Sequence, residues 1–497
     1  MLFIDPIFFA VFLPITLLGF WLLGRHRAYG GFITRWLAAV SLVFYAYWDV
    51  RFLLLLLLSI IFNFWMAAAI SGRKKGSLSR KMVFATAIAA NLAALAIFKY
   101  ANFAVAAYAT LTATPVGQFG ILLPLGISFF TFTQIAYLAD VHTGHQPEKS
   151  FSNYLLFITY FPHLIAGPIL HHKEMMGQFD LLQKTGLSSQ RIAVGCSIFI
   201  LGLFKKVVIA DTFAAIAEPT FFASTQSSVG MADGWVAATA YALQIYFDFS
   251  GYCDMAIGIS TMFNIRLPFN FDSPYKATNI IEFWRRWHIT LSRFLRDYLY
   301  IPLGGNRKGR VRELINLLLT MLLGGLWHGA GWTFIIWGGL HGIFLVANHG
   351  WRKLMASYFS RGAPGHFVYR LVCLTLTQLA VVVAWVFFRA ESLESAGRML
   401  KAMFGLSAAA GGSYSPGNVI LVLAGYLLCL LAPNVNDMFH KFKVGLVTYD
   451  SPATWSAVDW RLKFSLRWAA FIAACLLTAL AVGILREGSS PFLYFQF

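Results

Sequence analysis

Apolar stretches of about 20 residues, the length a helix needs to cross a bilayer, recur from one end of this 497-residue chain to the other. They run over 5–24, 33–50, 52–70, 82–100, 120–139, 192–222, 235–263, 313–328, 332–349, 367–388, 418–433 and 463–485. In hydrocarbon every backbone N–H and C=O must find a partner within the protein, so spanning segments are helices or strands of a closed barrel. Apolar runs of this length are helices. Only 12% of the residues are charged and 58% are hydrophobic, whereas a soluble domain carries about 25% charged residues. The pattern predicts an all-α polytopic membrane protein. With no polar linker and no repeat of fixed period, residues 1–497 read as a single membrane domain.

Charge sets the expected orientation. The net charge of +18 would suggest nucleic acid in a soluble chain. Here the basic residues fall in short loops between spans, as in cytoplasmic loops that face anionic lipid. Arg25, Arg27 and Arg35 lie between the first two spans, and Arg73, Lys74, Lys75, Arg80 and Lys81 follow the third. Both loops are therefore assigned to the cytoplasm, with the N-terminus outside. Arg307, Lys308, Arg310 and Arg312 mark another cytoplasmic loop, and Arg461 and Lys463 precede the last span, which leaves Pro491 to Phe497 facing outward. Met1 to Leu23 lacks the basic start and small-residue cleavage site of a signal peptide and reads as the first span. The five cysteines have neither metal-ligand nor paired spacing and read as small buried hydrophobes.

Residues 151–170 do not read as a simple span. Phe161-Pro162-His163 and Ala166-Gly167-Pro168 interrupt them, and both flanks are polar. Proline removes a helical hydrogen bond, so the segment is expected to be re-entrant; a Pro-kinked span is the alternative.

Two histidines stand out because a titratable group is expensive inside a bilayer. His328 closes Leu323-Gly324-Gly325-Leu326-Trp327-His328-Gly329, at the end of a run that starts near Arg312. It lies roughly 20–25 Å along that helix axis. Its glycines suit close backbone approach and an unusual turn. They suggest a substrate passing close to the imidazole, because an apolar residue would pack more cheaply there; helix packing around a structural histidine is the alternative. His288 lies in Trp284-Arg285-Arg286-Trp287-His288. Read as one helix, Glu282 to Tyr300 places Trp284, Trp287, His288, Leu291, Leu295 and Tyr298 on one stripe and the charged residues opposite. Glu282–Arg286 and Arg293–Asp297 are supporting i,i+4 pairs. This predicts an amphipathic surface helix with His288 turned inward, as a functional group or as a core histidine with a backbone partner.

Gln244, Asp248 and Asp254 lie within the 235–263 stretch. Intramembrane carboxylates face a cavity or pair with a base; a structural pairing with Arg266 or an arginine of 282–296 and a substrate role are equal readings. His163, His341 and His349 are further candidates. No G-x-S-x-G elbow, H-E-x-x-H or phosphate loop occurs, so hydrolase, zinc-protease and ATPase chemistry lacks a sequence basis. A neutral buried imidazole acting as general base on a hydroxyl leaves a transferase open, beside a transporter, a channel or a secretion scaffold.

Glu282 to Ser292, Leu295-Arg296-Asp297-Tyr298-Leu299-Tyr300-Ile301-Pro302-Leu303-Gly304-Gly305-Asn306-Arg307, and Gly324-Gly325-Leu326-Trp327-His328-Gly329 together resemble the membrane-bound O-acyltransferase family, in its bacterial alginate O-acetylation branch. Pro124 to Phe132, Gln244 to Tyr252 and Phe492 to Phe497 extend the resemblance over nearly the whole chain. It implies a ring of about eleven tilted transmembrane helices around a thin centre entered by a funnel and a tunnel, with re-entrant and amphipathic helices. It implies transfer of an acyl group from a cytosolic thioester to a hydroxyl acceptor on the outer side, for O-acetylation of an exported polysaccharide such as alginate or cellulose. D-alanyl transfer and peptidoglycan acylation are the family's alternatives. His328 matches the catalytic histidine and His288 the second functional one. No bound cofactor or metal is expected; acetyl-CoA is the expected co-substrate, with Arg307, Lys308 and Arg310 as candidate docking residues. The bacterial inner membrane, both termini periplasmic, and a periplasmic acetyltransferase partner complete the expectation.

Overall fold

The computed structural model describes residues 1–25, 30–114, 116–117, 119–182, 187–355, 366–407, 415–447, 465–486 and 492–493. Arg27, Arg461, Lys463 and most of the C-terminal stretch lie outside the described residues. Helices dominate. The strands among the described residues are two-residue pieces, Leu267–Pro268 and Gly445–Leu446, paired in parallel. Seven helices among the described residues are long and apolar enough to cross a membrane: Phe8–Arg25, Val50–Ser71, Leu78–Thr112, Ser189–Gln226, Phe367–Arg389, Pro416–Phe442 and Leu466–Leu485. The chain is an all-α, multi-pass membrane protein. Five expected spans form helices, Gly30–Ala46, Ile127–Thr143, Met231–Met262, Arg310–His328 and Trp332–Leu354, without belonging to those seven. In Arg310–His328 and Trp332–Leu354, Arg312, Glu313, Asn316, Thr320 and the glycines dilute the apolar character.

Backbone contacts divide the chain into two compact units. The first holds Met1–Ile200, Tyr252–Pro268 and Phe442–Leu446. Its helices are tied by few but buried polar bonds, as expected where lipid offers no hydrophobic drive between helices. Asn63 and Asn91 donate to each other's side-chain oxygens at 3.0 and 2.7 Å. Arg80 donates to Val141 O at 2.7 Å, covering a carbonyl near the end of the Ile127–Thr143 helix. That helix starts later than the apolar run beginning at 120 suggested, because residues 119–126 are irregular. The 151–170 segment is broken as its prolines require. Helix Phe151–Thr159 stops at Tyr160, a four-residue helix Phe161–Leu164 follows, and 165–171 are non-helical.

The second unit holds Leu201–Gly251, Phe269–Lys441 and Val447–Phe497. Within it, Arg310–His328 and Trp332–Leu354 pack against each other. A Cβ on Gly325 would collide with Phe334 O, and one on Gly338 with Met321 O. The glycines therefore permit the tight packing that presents His328. Asp248 corrects an expectation. Its partner is neither Arg266 nor an arginine of 282–296 but Lys206, whose Nζ lies 2.6 Å from Asp248 Oδ1 and 2.7 Å from Asp211 Oδ1. All three groups are buried.

Candidate active site

His288 sits at a break between two helices, not within one. Asn279 caps Ile280–Arg286, its side chain accepting from Glu282 N at 3.0 Å. Trp287 is extended, and His288 adopts φ 42°, ψ 53°. A second helix then runs Ile289–Leu295 and widens into a π turn over Arg296–Tyr300. The single helix expected over 282–300 is therefore wrong. Residues 270–272 take the hydrogen bonds that a continuous helix would keep. Asp272 N donates to Arg286 O and Ile289 N donates to Asn270 O, both at 3.0 Å. Asn270 Oδ1 also accepts from Thr290 N at 3.2 Å and Thr290 Oγ1 at 2.7 Å. Tertiary bonds here override helix propensity.

The charge pairs read from the sequence are present. Glu282 meets Arg286 at 3.0 Å and Arg293 approaches Asp297 at 3.9 Å. Arg286 is nonetheless buried, donating to Asp272 O at 3.0 Å, so the charged face of the wheel is not uniformly solvent-facing. A left-handed backbone at a non-glycine residue costs on the order of 1–3 kcal/mol and is held only where surroundings over-determine it. The Asn270 and Asp272 bonds supply that restraint on either side of His288.

His328 is the last residue of its helix; Gly329-Ala330-Gly331 then turn the chain back. Gly329 is extended, with φ −158°, a conformation open to any residue. What demands glycine there is space, since a Cβ would strike the Phe334 ring. The expected unusual turn is thus an ordinary one with a steric requirement.

These two arrangements bring the histidines together. The imidazole centroids of His288 and His328 lie 6.3 Å apart, with planes at 66°. His328 is boxed by Trp327, Trp337 and Phe388 at 4.9, 5.1 and 5.2 Å. His288 packs on Phe249 at 4.8 Å. Both side chains are buried. Burial pushes the His288 imidazole down to about 3, so it is neutral at physiological pH. His341, also buried, lies behind the box, 4.9 Å from Trp337. Its Nδ1 accepts from Trp284 Nε1 at 3.3 Å. His163 belongs to the other unit, where Nε2 meets Phe157 O at 2.9 Å.

A cavity of about 870 Å³ is lined by Trp284, Arg285, Arg293, Arg296, Met321 and His349 among others, and by neither histidine of the pair. A second, of about 500 Å³, is bordered by Arg285, Arg352 and Arg370. Arg307, Lys308 and Arg310 are exposed and line neither. Among the described residues no three His, Cys, Asp or Glu side chains gather as metal ligands. The sequence reading missed Asn270 and Asp272, whose signal was present: polar residues alternate with Phe269 and Phe271 just before the histidine motif. It also missed the box formed by Trp337 and Phe388.

An imidazole in an aromatic box, as at His328, is suited to accept a proton from a hydroxyl nucleophile. A family model for membrane-bound O-acyltransferases matches residues 148–386, which contain both histidines. A peptidoglycan O-acetyltransferase of Helicobacter pylori is 40% identical, covering 100% of this chain and 98% of that protein. A probable alginate O-acetylase of Azotobacter vinelandii is 43% identical over 81% of this chain and 78% of its own length. One of Pseudomonas putida is 38% identical over 100% of both. Transporter, channel and scaffold readings give way to an acyl-transfer enzyme: the chain belongs to the membrane-bound O-acyltransferase family.

Proposed function

We propose that this enzyme passes an acetyl group from a cytosolic thioester, acetyl-CoA, to a hydroxyl acceptor reached from the outer face, as the membrane step in O-acetylation of an exported polysaccharide such as alginate or cellulose. The observation that carries this is the 6.3 Å pairing of His288 with His328, the latter ending a helix that starts at Arg310, just after Arg307 and Lys308. In this proposal the His328 imidazole accepts the acceptor's hydroxyl proton as its oxygen attacks the thioester carbonyl. The C–S bond breaks, the ester forms, and the proton passes to the departing thiolate. His288, neutral and packed beside it, orients the acceptor. The exposed Arg307, Lys308 and Arg310 raise the local concentration of an anionic donor.

The positive-inside pattern supports an inner-membrane protein with both termini on the periplasmic side. A periplasmic acetyltransferase is the proposed partner that hands the acetyl group to the sugar. Peptidoglycan is the second acceptor reading, favoured by the full-length similarity to the Helicobacter pylori enzyme. Deleting the chain and measuring base-labile acetate on both polymers tests the proposal. Loss from the exported polysaccharide alone is expected. Loss from peptidoglycan alone transfers the assignment to that acceptor, and unchanged acetate on both rejects polymer O-acetylation.

A further inference from the structure

Trp337 and His341 stand one turn apart on Trp332–Leu354, on the buried face they share with Gly338 and Gly342. Those glycines admit the partner helix Arg310–His328: a Cβ on Gly338 would strike Met321 O, and one on Gly342 the Leu318 side chain. His341 is fully buried, and the proton transfer described above gives it no part. Its ring nevertheless touches both halves of the site. Toward His328 it meets Trp337 edge to face at 4.9 Å, and Trp337 meets His328 in the same way at 5.1 Å. Toward His288 it lies parallel to Phe283, with 7° between the planes and centroids 6.1 Å apart, and crosses Trp284 at 82° and 5.2 Å. Trp284 Nε1 donates to His341 Nδ1 at 3.3 Å. Trp284 belongs to Ile280–Arg286 and stands four residues before His288. With Nδ1 accepting, the ring proton is on Nε2. A leucine or phenylalanine would fill this space without desolvating two ring nitrogens, so packing does not account for an imidazole here. What the imidazole adds is a directional acceptor for the indole N–H.

We propose that His341 is a positioning residue for acyl transfer: by accepting the Trp284 N–H it sets how closely the His288 break approaches the aromatic box of His328. The ring contacts around it tolerate sliding, because their attraction falls off gently over several ångströms of offset. The hydrogen bond does not, since it weakens steeply once donor and acceptor lose alignment. It therefore selects one register of Ile280–Arg286 against Trp332–Leu354. Trp337, held between His341 and His328, carries that register to the box, and the four residues from Trp284 to His288 carry it to the other imidazole. Without the bond the short helix is free to shift, and the 6.3 Å spacing of the pair is lost. The proposal rests on the assignment of His288 and His328 to the acyl-transfer step and deepens it by naming what holds them in register.

Three variants of the full-length chain test this. His341→Leu removes the acceptor, His341→Asn keeps an oxygen acceptor near the place of Nδ1, and Trp284→Phe removes the donor while keeping an aromatic ring. Two quantities are read. One is the rate of transfer from radiolabelled acetyl-CoA in inside-out vesicles of the native membrane, resolved into kcat and KM. The other is the pair of His288 and His328 ring signals in nitrogen-15 NMR of the histidine-labelled protein in detergent, assigned by their loss in His288→Asn and His328→Ala. His341→Leu and Trp284→Phe are each expected to move both ring signals and to lower kcat roughly a hundredfold, the cost of about 1 Å of misplacement, with KM for acetyl-CoA unchanged. His341→Asn should restore the signals and most of the rate. The double variant should be no slower than the slower single one, because both remove the same bond. If His341→Leu fails to fold, Trp284→Phe breaks the bond from the other side. Wild-type ring signals and kcat in His341→Leu overturn the proposal. So does an asparagine variant as impaired as the leucine one, which would make the shape of the ring, not its acceptor, the requirement. Full transfer by His328→Ala would instead sink the general-base reading, and the ring signals would still decide whether His341 holds the pair.

Discussion

The imidazoles of His288 and His328 lie 6.3 Å apart although forty positions separate them in the chain. Neither sits in a helix interior. One is at a left-handed break between two short helices and the other is the final residue of a helix. Each is aimed by backbone rather than by helix periodicity. The bonds from Asn270 and Asp272 fix the first, and glycine-mediated packing of Arg310–His328 on Trp332–Leu354 fixes the second.

The backbone at His288 separates strain from chemistry. Asparagine tolerates the left-handed region better than alanine does. His288→Asn should therefore unfold at a higher temperature than His288→Ala, with a gap of about 1 kcal/mol, while both lose acetyl transfer if the imidazole is needed. Thermal unfolding in detergent beside an acetylation assay reads both quantities. Equal stability of the two variants would mean that the left-handed conformation is not retained.

Burial of His288 also gives stability a pH dependence of defined sign. Its folded value is depressed to about 3, below the usual 6.5 or so of an unfolded chain. Between these values the unfolded state binds the extra proton. Stability is complete above pH about 6.5 and falls with acidification, by on the order of 1 kcal/mol per pH unit from this group. The melting temperature of the wild type should fall more steeply from pH 7 to pH 5 than that of His288→Asn. Parallel slopes would show that His288 is not held neutral.

Lys206 stands between the carboxylates of Asp211 and Asp248, and Leu493 N donates to Asp248 at 3.0 Å. Lys206→Met strands two buried carboxylates and should destabilise by about 3–5 kcal/mol. Adding Asp211→Asn and Asp248→Asn should recover most of that loss, because a neutral cluster needs no counter-charge. Yield and melting temperature of the purified variants check this. A single variant as stable as wild type would show that the cluster does not hold the unit together.

What the sequence made legible follows from the range of each interaction. Apolar length marked the membrane helices, and i,i+4 spacing marked the Glu282–Arg286 and Arg293–Asp297 pairs, because both signals are local. Pro162 announced the break after Thr159 for the same reason. The inward position of His288 was right, but the helical wheel that suggested it was not. The break at Trp287–His288 is imposed from residues 270–272, which no periodicity in 282–300 encodes. Lys206 escaped notice as the partner of Asp248 because they lie on separate apolar stretches.

The central claim is that His328 accepts the proton of the acceptor hydroxyl, and His328→Ala tests it most directly. The measurement is the initial rate of acetyl transfer to exported polymer, normalised to the amount of protein inserted in the membrane. The account predicts a fall of about 10²–10⁴-fold, the range for a lost general base, with insertion and melting temperature near wild type. A variant that inserts normally and keeps more than about a tenth of the wild-type rate would contradict it.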